Sequence, residues 1–95
     1  MDLPIWARGQ IATVGAQIVV VGPPDTVTEG DSNVLLDGRP IAREGDGTAQ
    51  GGVIVEGSDK IFVNGKPAAF IGAMTTNPMV DPGPKPRVGG PITSN

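Results

Sequence analysis

The stretch Lys60-Ile-Phe-Val-Asn-Gly-Lys-Pro-Ala-Ala-Phe-Ile-Gly72 decides the fold. Three strand-formers lead into Asn64-Gly65, the pair best suited to the two-residue turn of a β-hairpin, which needs positive φ at both places. A proline then stands two residues past the turn, where a strand should continue. The same arrangement occurs 27 residues earlier, around Asp37-Gly38 and Pro40. Residues 29–48, EGDSNVLLDGRPIAREGDGT, lie over residues 56–75, EGSDKIFVNGKPAAFIGAMT, without a gap. Glu29/Glu56, Gly30/Gly57, Gly38/Gly65, Pro40/Pro67, Ala42/Ala69, Gly45/Gly72 and Thr48/Thr75 are identical pairs.

The proline has a physical place in this pattern. Leu36 with Arg39, and Val63 with Lys66, flank the turn as hydrogen-bonded pairs. The next pairs out, Leu35 with Pro40 and Phe62 with Pro67, are non-hydrogen-bonded, so their N–H groups would point away from the partner strand. Proline costs the hairpin nothing there and blocks further pairing on its outer edge. The small Ala42, Ala68 and Ala69 suit close packing between units, beside Ile41 and Arg43. A further pattern, Gly-small-x-Ile, recurs at Gly15–Ile18, Gly51–Ile54 and Gly89–Ile92. Taken with the hairpins it predicts three like corners in one chain, a pseudo-threefold body.

Composition agrees with short strands. Glycine (15) and proline (10) are frequent, yet 24 of 95 residues are Leu, Ile, Val or Phe, above the share found in disordered chains. The longest run free of Gly and Pro is seven residues, at 31–37 and 58–64, which leaves no room for an ordinary helix. The expectation is one all-β domain over residues 1–95, built as a small cone of short antiparallel strands and hairpins. Its repeat units cover about 29–55 and 56–82, and the Pro-rich segment 78–91 returns the C-terminus to the body.

Several chemistries are excluded. The chain has no cysteine and no histidine, so no disulfide, no thiolate nucleophile, no Ser-His or Cys-His pair and no Cys/His zinc site. Seven Lys/Arg against ten Asp/Glu argue against a nucleic-acid surface. The start, MDLPIWARGQ, lacks a basic leader region, and the apolar run Ile18–Val21 is far too short to span a membrane. Eight acids lie between Asp25 and Asp59. Asp37 is a turn residue, and Glu29 and Glu56 repeat in register, which a catalytic carboxylate pair has no reason to do. Arg43 can pair with Glu44 or Asp46. Trp6 is either a core plug or an anchor on a partner.

At these residues the sequence resembles the PAAR-repeat family. Pro67-Ala68-Ala69-Phe70 and Pro40-Ile41-Ala42-Arg43 are its two copies of Pro-Ala-Ala-Arg, and GSDKIFVNGKPAAFIG and GDGTAQGGVIVEG are similar to the family's surrounding strings. The likeness covers about residues 13–77 well and the ends weakly. It implies a cone seated on the end of a homotrimeric β-helical spike, one tip per trimer, leading a contractile injection machine. That machine is a type VI secretion system, a phage tail or a related particle, and the tip is made in the cytoplasm without a signal peptide. The implied work is mechanical: sharpening the spike, touching the target membrane transiently, and in some relatives carrying an effector.

The family also implies zinc at the point, held by three His and one Cys. Here Val14, Gln50 and Val88 fall at the His positions, and Thr75 to Asn77 at the fourth. The expectation is therefore a tip without zinc, in which Val14 and Val88 meet near the apex and Gln50 bonds to local backbone. A hard cation on Asp oxygens is the remaining metal alternative. The alternative readings of function are a small β-barrel or sandwich module that binds a peptide or glycan, and an effector-loading adaptor. Catalysis comes last.

Overall fold

The computed structural model describes residues 10–20, 23–78 and 86–90, and the described residues contain strands and turns but no helix. The strands are β1 (Gln17–Val19), β2 (Asp31–Leu36), β3 (Arg39–Ile41), β4 (Phe62–Val63), β5 (Lys66–Pro67) and β6 (Arg87–Gly90). They form three two-stranded antiparallel sheets, β1 with β6, β2 with β3, and β4 with β5. Trp6, Ile92 and most of the Pro-rich segment lie outside the described residues.

Both hairpins form in the register that the turns dictate. Leu36 faces Arg39 and Leu35 faces Pro40; Val63 faces Lys66 and Phe62 faces Pro67. Asp37 and Gly38 have φ of 54° and 77°, and Asn64 and Gly65 have 50° and 82°, so both central residues of each turn are left-handed. The two hairpins differ further from the turn. Ile41 pairs with Asp31 rather than with Val34, so residues 32–34 bulge out of β2. The Asp31 carboxylate accepts the Asn33 N–H at 2.8 Å, a local bond that competes with the ladder.

Around the hairpins the chain builds three equivalent lobes, whose described residues are 10–20 with 23–28, 40–55, and 67–78 with 86–90. The equivalence is written in the backbone hydrogen bonds. Ala42 donates to Ala12, Ala12 to Ala69 and Ala69 to Ala42, at 2.9–3.0 Å, so three alanines close a ring. Val14 donates to the Pro40 carbonyl, Glu44 to Pro67 and Ile71 to Gln10, each at 2.9 Å. Here the motif prolines find their second use: lacking an N–H, they still offer a carbonyl to the neighbouring lobe. Gly15, Gly45 and Gly72 donate to Val27, Ile54 and Val88, and these three corner glycines have φ of 94°, 95° and 97°.

Each lobe alternates inward and outward residues, as a strand must. The inward sets are Ala12/Ala42/Ala69, Ala16/Asp46/Ala73, Val27/Ile54/Val88 and Ile18/Thr48/Thr75, and all twelve residues are buried. The apolar members make one continuous core through the three lobes. Ile11, Leu36, Ile41, Val63 and Ala68 form a second cluster that fastens the hairpins to it. Full burial of a Val or Ile stabilises by about 1.5–3 kcal/mol, and the alanines admit the close approach the ring needs.

The third repeat is thus not the Gly-small-x-Ile pattern. Ile18 is equivalent to Thr48 and Thr75, whereas Ile54 is equivalent to Val27 and Val88, so the two isoleucines occupy different levels of the core. The matching signal is Ile11-Ala12-x-x-Gly15 against Ile41-Ala42-x-x-Gly45 and Ala69-x-x-Gly72.

One defect in the symmetry has a measurable consequence. Thr48 Oγ1 accepts the Gly52 N–H at 3.1 Å. Thr75 takes the same place in the third lobe, but its counterpart of Gly52 is Pro86, which has no N–H, and Thr75 Oγ1 is buried without a partner. Leaving a buried polar group unsatisfied costs about 1–3 kcal/mol. Thr75→Val is expected to raise the thermal midpoint by about 4–8 °C, while Thr48→Val lowers it by a similar amount. Paired melting curves check both signs.

Candidate functional site

The motif residues Pro40-Ile41-Ala42-Arg43 and Pro67-Ala68-Ala69-Phe70 run along the joints between lobes. Arg43 pairs with Ala68, Phe70 with Ile11 and Ile41 with Thr13 in single antiparallel rungs, each joining one lobe to the next. Ile41, Ala42, Ala68 and Ala69 are completely buried, so this stretch shapes the interior and offers no reactive group. Asp37-Gly38 and Asn64-Gly65 project as exposed turns.

Arg43 sits in a polar network beside the joint. Its Nε lies 3.3 Å from Asp46 Oδ2 and its Nη1 3.3 Å from Asp31 Oδ2. Asn64, the turn residue of the second hairpin, donates its side-chain amide to the same Asp31 oxygen, so the two hairpins are tied together. The Asn33 N–H, then the Asn64 amide, then the Arg43 guanidinium hold the Asp31 carboxyl below its ordinary value of 3.8, against an opposing push from burial. A carboxyl lowered on folding adds stability above its unfolded value and loses it as pH falls through the folded one. The gap in stability between wild type and Asp31→Asn is therefore expected to be constant from neutrality to about pH 5 and to narrow below about pH 4. Urea titrations at several pH values measure it.

The acids repeated in register have a backbone role. Glu29 accepts the Gly47 N–H at 2.8 Å and Glu56 accepts the Met74 N–H at 2.9 Å, two equivalent positions in successive lobes. The first lobe meets that need with sheet pairing, Gln17 against Gly90. Carboxylates spent on neighbouring N–H groups in matching places read as struts.

Val14, Gln50 and Val88 occupy three different positions of the repeat. Val88 is buried in the core with its equivalents Val27 and Ile54. Val14 is half-buried at a lobe corner, against Gly30. Gln50 lies in the loop that turns each lobe back on itself, and its side-chain amide donates to the Pro24 carbonyl at 2.8 Å. The three are therefore not threefold mates, and the expected meeting of Val14 with Val88 at an apex gives way to a different arrangement. The reason is local: the aligned glycines belong to unlike turns.

The loop end is instead organised around Asp25, which in the sequence is one of eight acids of turn and surface type, and Asn77, which stands there only as a candidate for the fourth zinc position. Asp25 Oδ1 accepts the Thr26 N–H at 2.9 Å and the Gln50 N–H at 3.0 Å, and Oδ2 accepts the Asn77 side-chain amide at 3.1 Å. A zinc ion of the His/Cys type does not fit here. Zinc takes thiolate, imidazole or a free carboxylate; this end offers one carboxylate with both oxygens already engaged, and amide nitrogens already spent as donors. Among the described residues no group of three or more His, Cys, Asp or Glu is placed to hold a metal.

A single chain with three like lobes around one axis, a hydrogen-bonded interior and, among the described residues, no cluster of metal-ligating side chains defines a class: a structural body with threefold faces. The chain belongs to the PAAR motif family, whose model matches residues 6–56 and again residues 26–78, two overlapping windows of a repeating chain. Its members are the structural, non-enzymatic tips of the trimeric spikes of secretion machines and phage tails, and this chain is such a spike-tip protein. A comparison with curated proteins gave no match.

Proposed function

We propose that one copy of this chain caps one homotrimeric β-helical spike, with the hairpin end seated on the trimer and the loop end leading. The observation that carries this reading is the ring in which Ala42 bonds to Ala12, Ala12 to Ala69 and Ala69 to Ala42. A closed trimer presents three identical faces, and a lone polypeptide matches them only by repeating itself around the same axis. The two hairpins leave the lobes beside the ring, at Pro40 and Pro67, and the buried cluster of Ile11, Leu36, Ile41, Val63 and Ala68 beneath them supports a seat at that end. Phe62, 57% exposed in β4, supplies an apolar contact there.

The tip works by shape. It meets the target membrane only during piercing, takes no nucleic acid with its seven Lys/Arg against ten Asp/Glu, and travels in a virion tail or a secreted injection apparatus. Native mass spectrometry of the chain mixed with a trimeric spike tests the reading. One tip per three spike chains is the expected result. A peptide- or glycan-binding module would leave the spike unbound, and an adaptor would bind an effector without it; either outcome overturns the cap.

A further inference from the structure

We infer that the Asp25 carboxylate, and no metal ion, fastens the three lobes together at the loop end. The inference concerns how this end is closed and stands whichever partner the chain takes.

Asp25 is 4% exposed and Asn77 2% exposed. Burying a carboxylate is costly unless hydrogen bonds replace its water. Asp25 finds those bonds in all three lobes: the N–H of Thr26 in the first, the N–H of Gln50 in the second and the side-chain amide of Asn77 in the third. Gln50 returns a bond from its own side chain to Pro24, which doubles the first joint. Bonds to an ionised oxygen are shorter and about twice as strong as neutral ones. One negative charge thus draws three chain segments, 25 and 52 residues away in sequence at the extremes, toward a single point.

The arrangement also breaks the threefold in a way that a shared ligand set would not. Asp25 is equivalent to Gly52 and Pro86, since Ile18, Thr48 and Thr75 donate to those three carbonyls. At this position only the first lobe carries a carboxylate, and the other two carry Gly52 and Pro86, which have no side-chain acceptor to compete for the centre. Three like donors around an ion would need the same chemistry in each lobe. A single acceptor hub needs it in one.

The test uses the full chain and charge-swapped variants. Asp25→Asn puts an NH2 group against donors and is expected to lower the thermal midpoint by roughly 10 °C. Asn77→Asp sets two carboxylates together and is expected to lower it similarly. The double variant D25N/N77D restores a carboxylate–amide pair with roles reversed and is expected to recover more than half of the loss. Should Asp25→Asn fail to fold, Asn77→Ala removes one lobe's bond alone, and the Gln50 amide is expected to exchange its hydrogen faster than in wild type. Chelator leaves the wild-type midpoint unchanged, and elemental analysis finds metal well below one ion per chain. The inference is overturned by a single variant within about 2 °C of wild type or a double variant no better than the worse single. An unchanged Gln50 amide in Asn77→Ala, a chelator-sensitive midpoint or a stoichiometric metal overturns it equally.

Discussion

Gly52→Ala is expected to be among the most destabilising single changes in this chain, although it adds one methyl group. A Cβ built on Gly52 falls 1.8 Å from the Thr76 carbonyl oxygen and 2.7 Å from the Thr76 carbonyl carbon. Both atoms are backbone and belong to the next lobe, so no rotamer change relieves the overlap; the lobes must part. Parting breaks the bonds that cross this joint, Thr76 N–H to the Val53 carbonyl and Val55 N–H to the Met74 carbonyl, both at 2.9 Å. Overpacking alone costs about 1–3 kcal/mol where side chains can adjust. Here they cannot, and the loss is expected to exceed about 4 kcal/mol, against a total of about 5–15 kcal/mol for a domain. Gly51→Ala is the control. Gly51 has φ of 87° and its nearest neighbour to an added Cβ is the Pro78 side chain at 3.7 Å, so only left-handed strain applies, about 1–2 kcal/mol. Circular dichroism and urea midpoints for the two variants should differ widely, despite adjacent positions and the same added group.

How much of this molecule was readable beforehand depends on how local each determinant is. The hairpins were legible because Asp37-Gly38 and Asn64-Gly65 fix their own dihedrals, and the turn then fixes which residues face each other. The two motif prolines could be placed for the same reason. The third lobe was not legible by the same route. Residues 10–16 share only Ile, Ala and Gly with residues 40–46, since the axis-facing positions ask for a size and, of the others, Ile11 and Ile41 are held in the cluster under the hairpins. Inward sites that accept Ile in one lobe accept Thr or Val in another, so matching Ile18 with Ile54 joined two different levels of the core. The β2 bulge was hidden because Asp31 draws Asn33, Arg43 and Asn64 to itself, an arrangement assembled from residues up to 33 apart.

The loop end was the least legible part, and the physics says why. Asp25 stands in sequence beside Pro24 and Thr26, where an acid reads as surface turn chemistry. Its burial follows only from Gln50 and Asn77 arriving from other lobes. The same holds for Glu29 and Glu56: register revealed that they do one job, but only the fold shows that the job is to receive the N–H of Gly47 and of Met74. Family likeness pointed to the correct architecture, and of the family's metal positions Gln50 and Asn77 do meet, on Asp25, whereas Val88 belongs to the core and Val14 to a corner against Gly30.

Ala42→Leu carries the second large expected effect, because it tests the axis itself. Ala12, Ala42 and Ala69 are completely buried, and each gives and receives one backbone bond in the ring. A leucine here has no outward rotamer to take, since the position faces the two other lobes. It must either spread the ring or distort the ladder above it, at a cost of about 3 kcal/mol. That is a fall of roughly 12 °C or more in the midpoint of so small a domain. Equivalence sharpens the prediction: Ala12→Leu and Ala69→Leu should cost nearly the same as Ala42→Leu, whereas Ala49→Leu, at an exposed place, should stay within about 0.5 kcal/mol of wild type. Three like losses from residues 30 and 27 positions apart would be hard to obtain from any body without a common axis. Unequal losses would mean that the lobes share hydrogen bonds but not packing, and a cap built that way could not offer a trimer three matching faces.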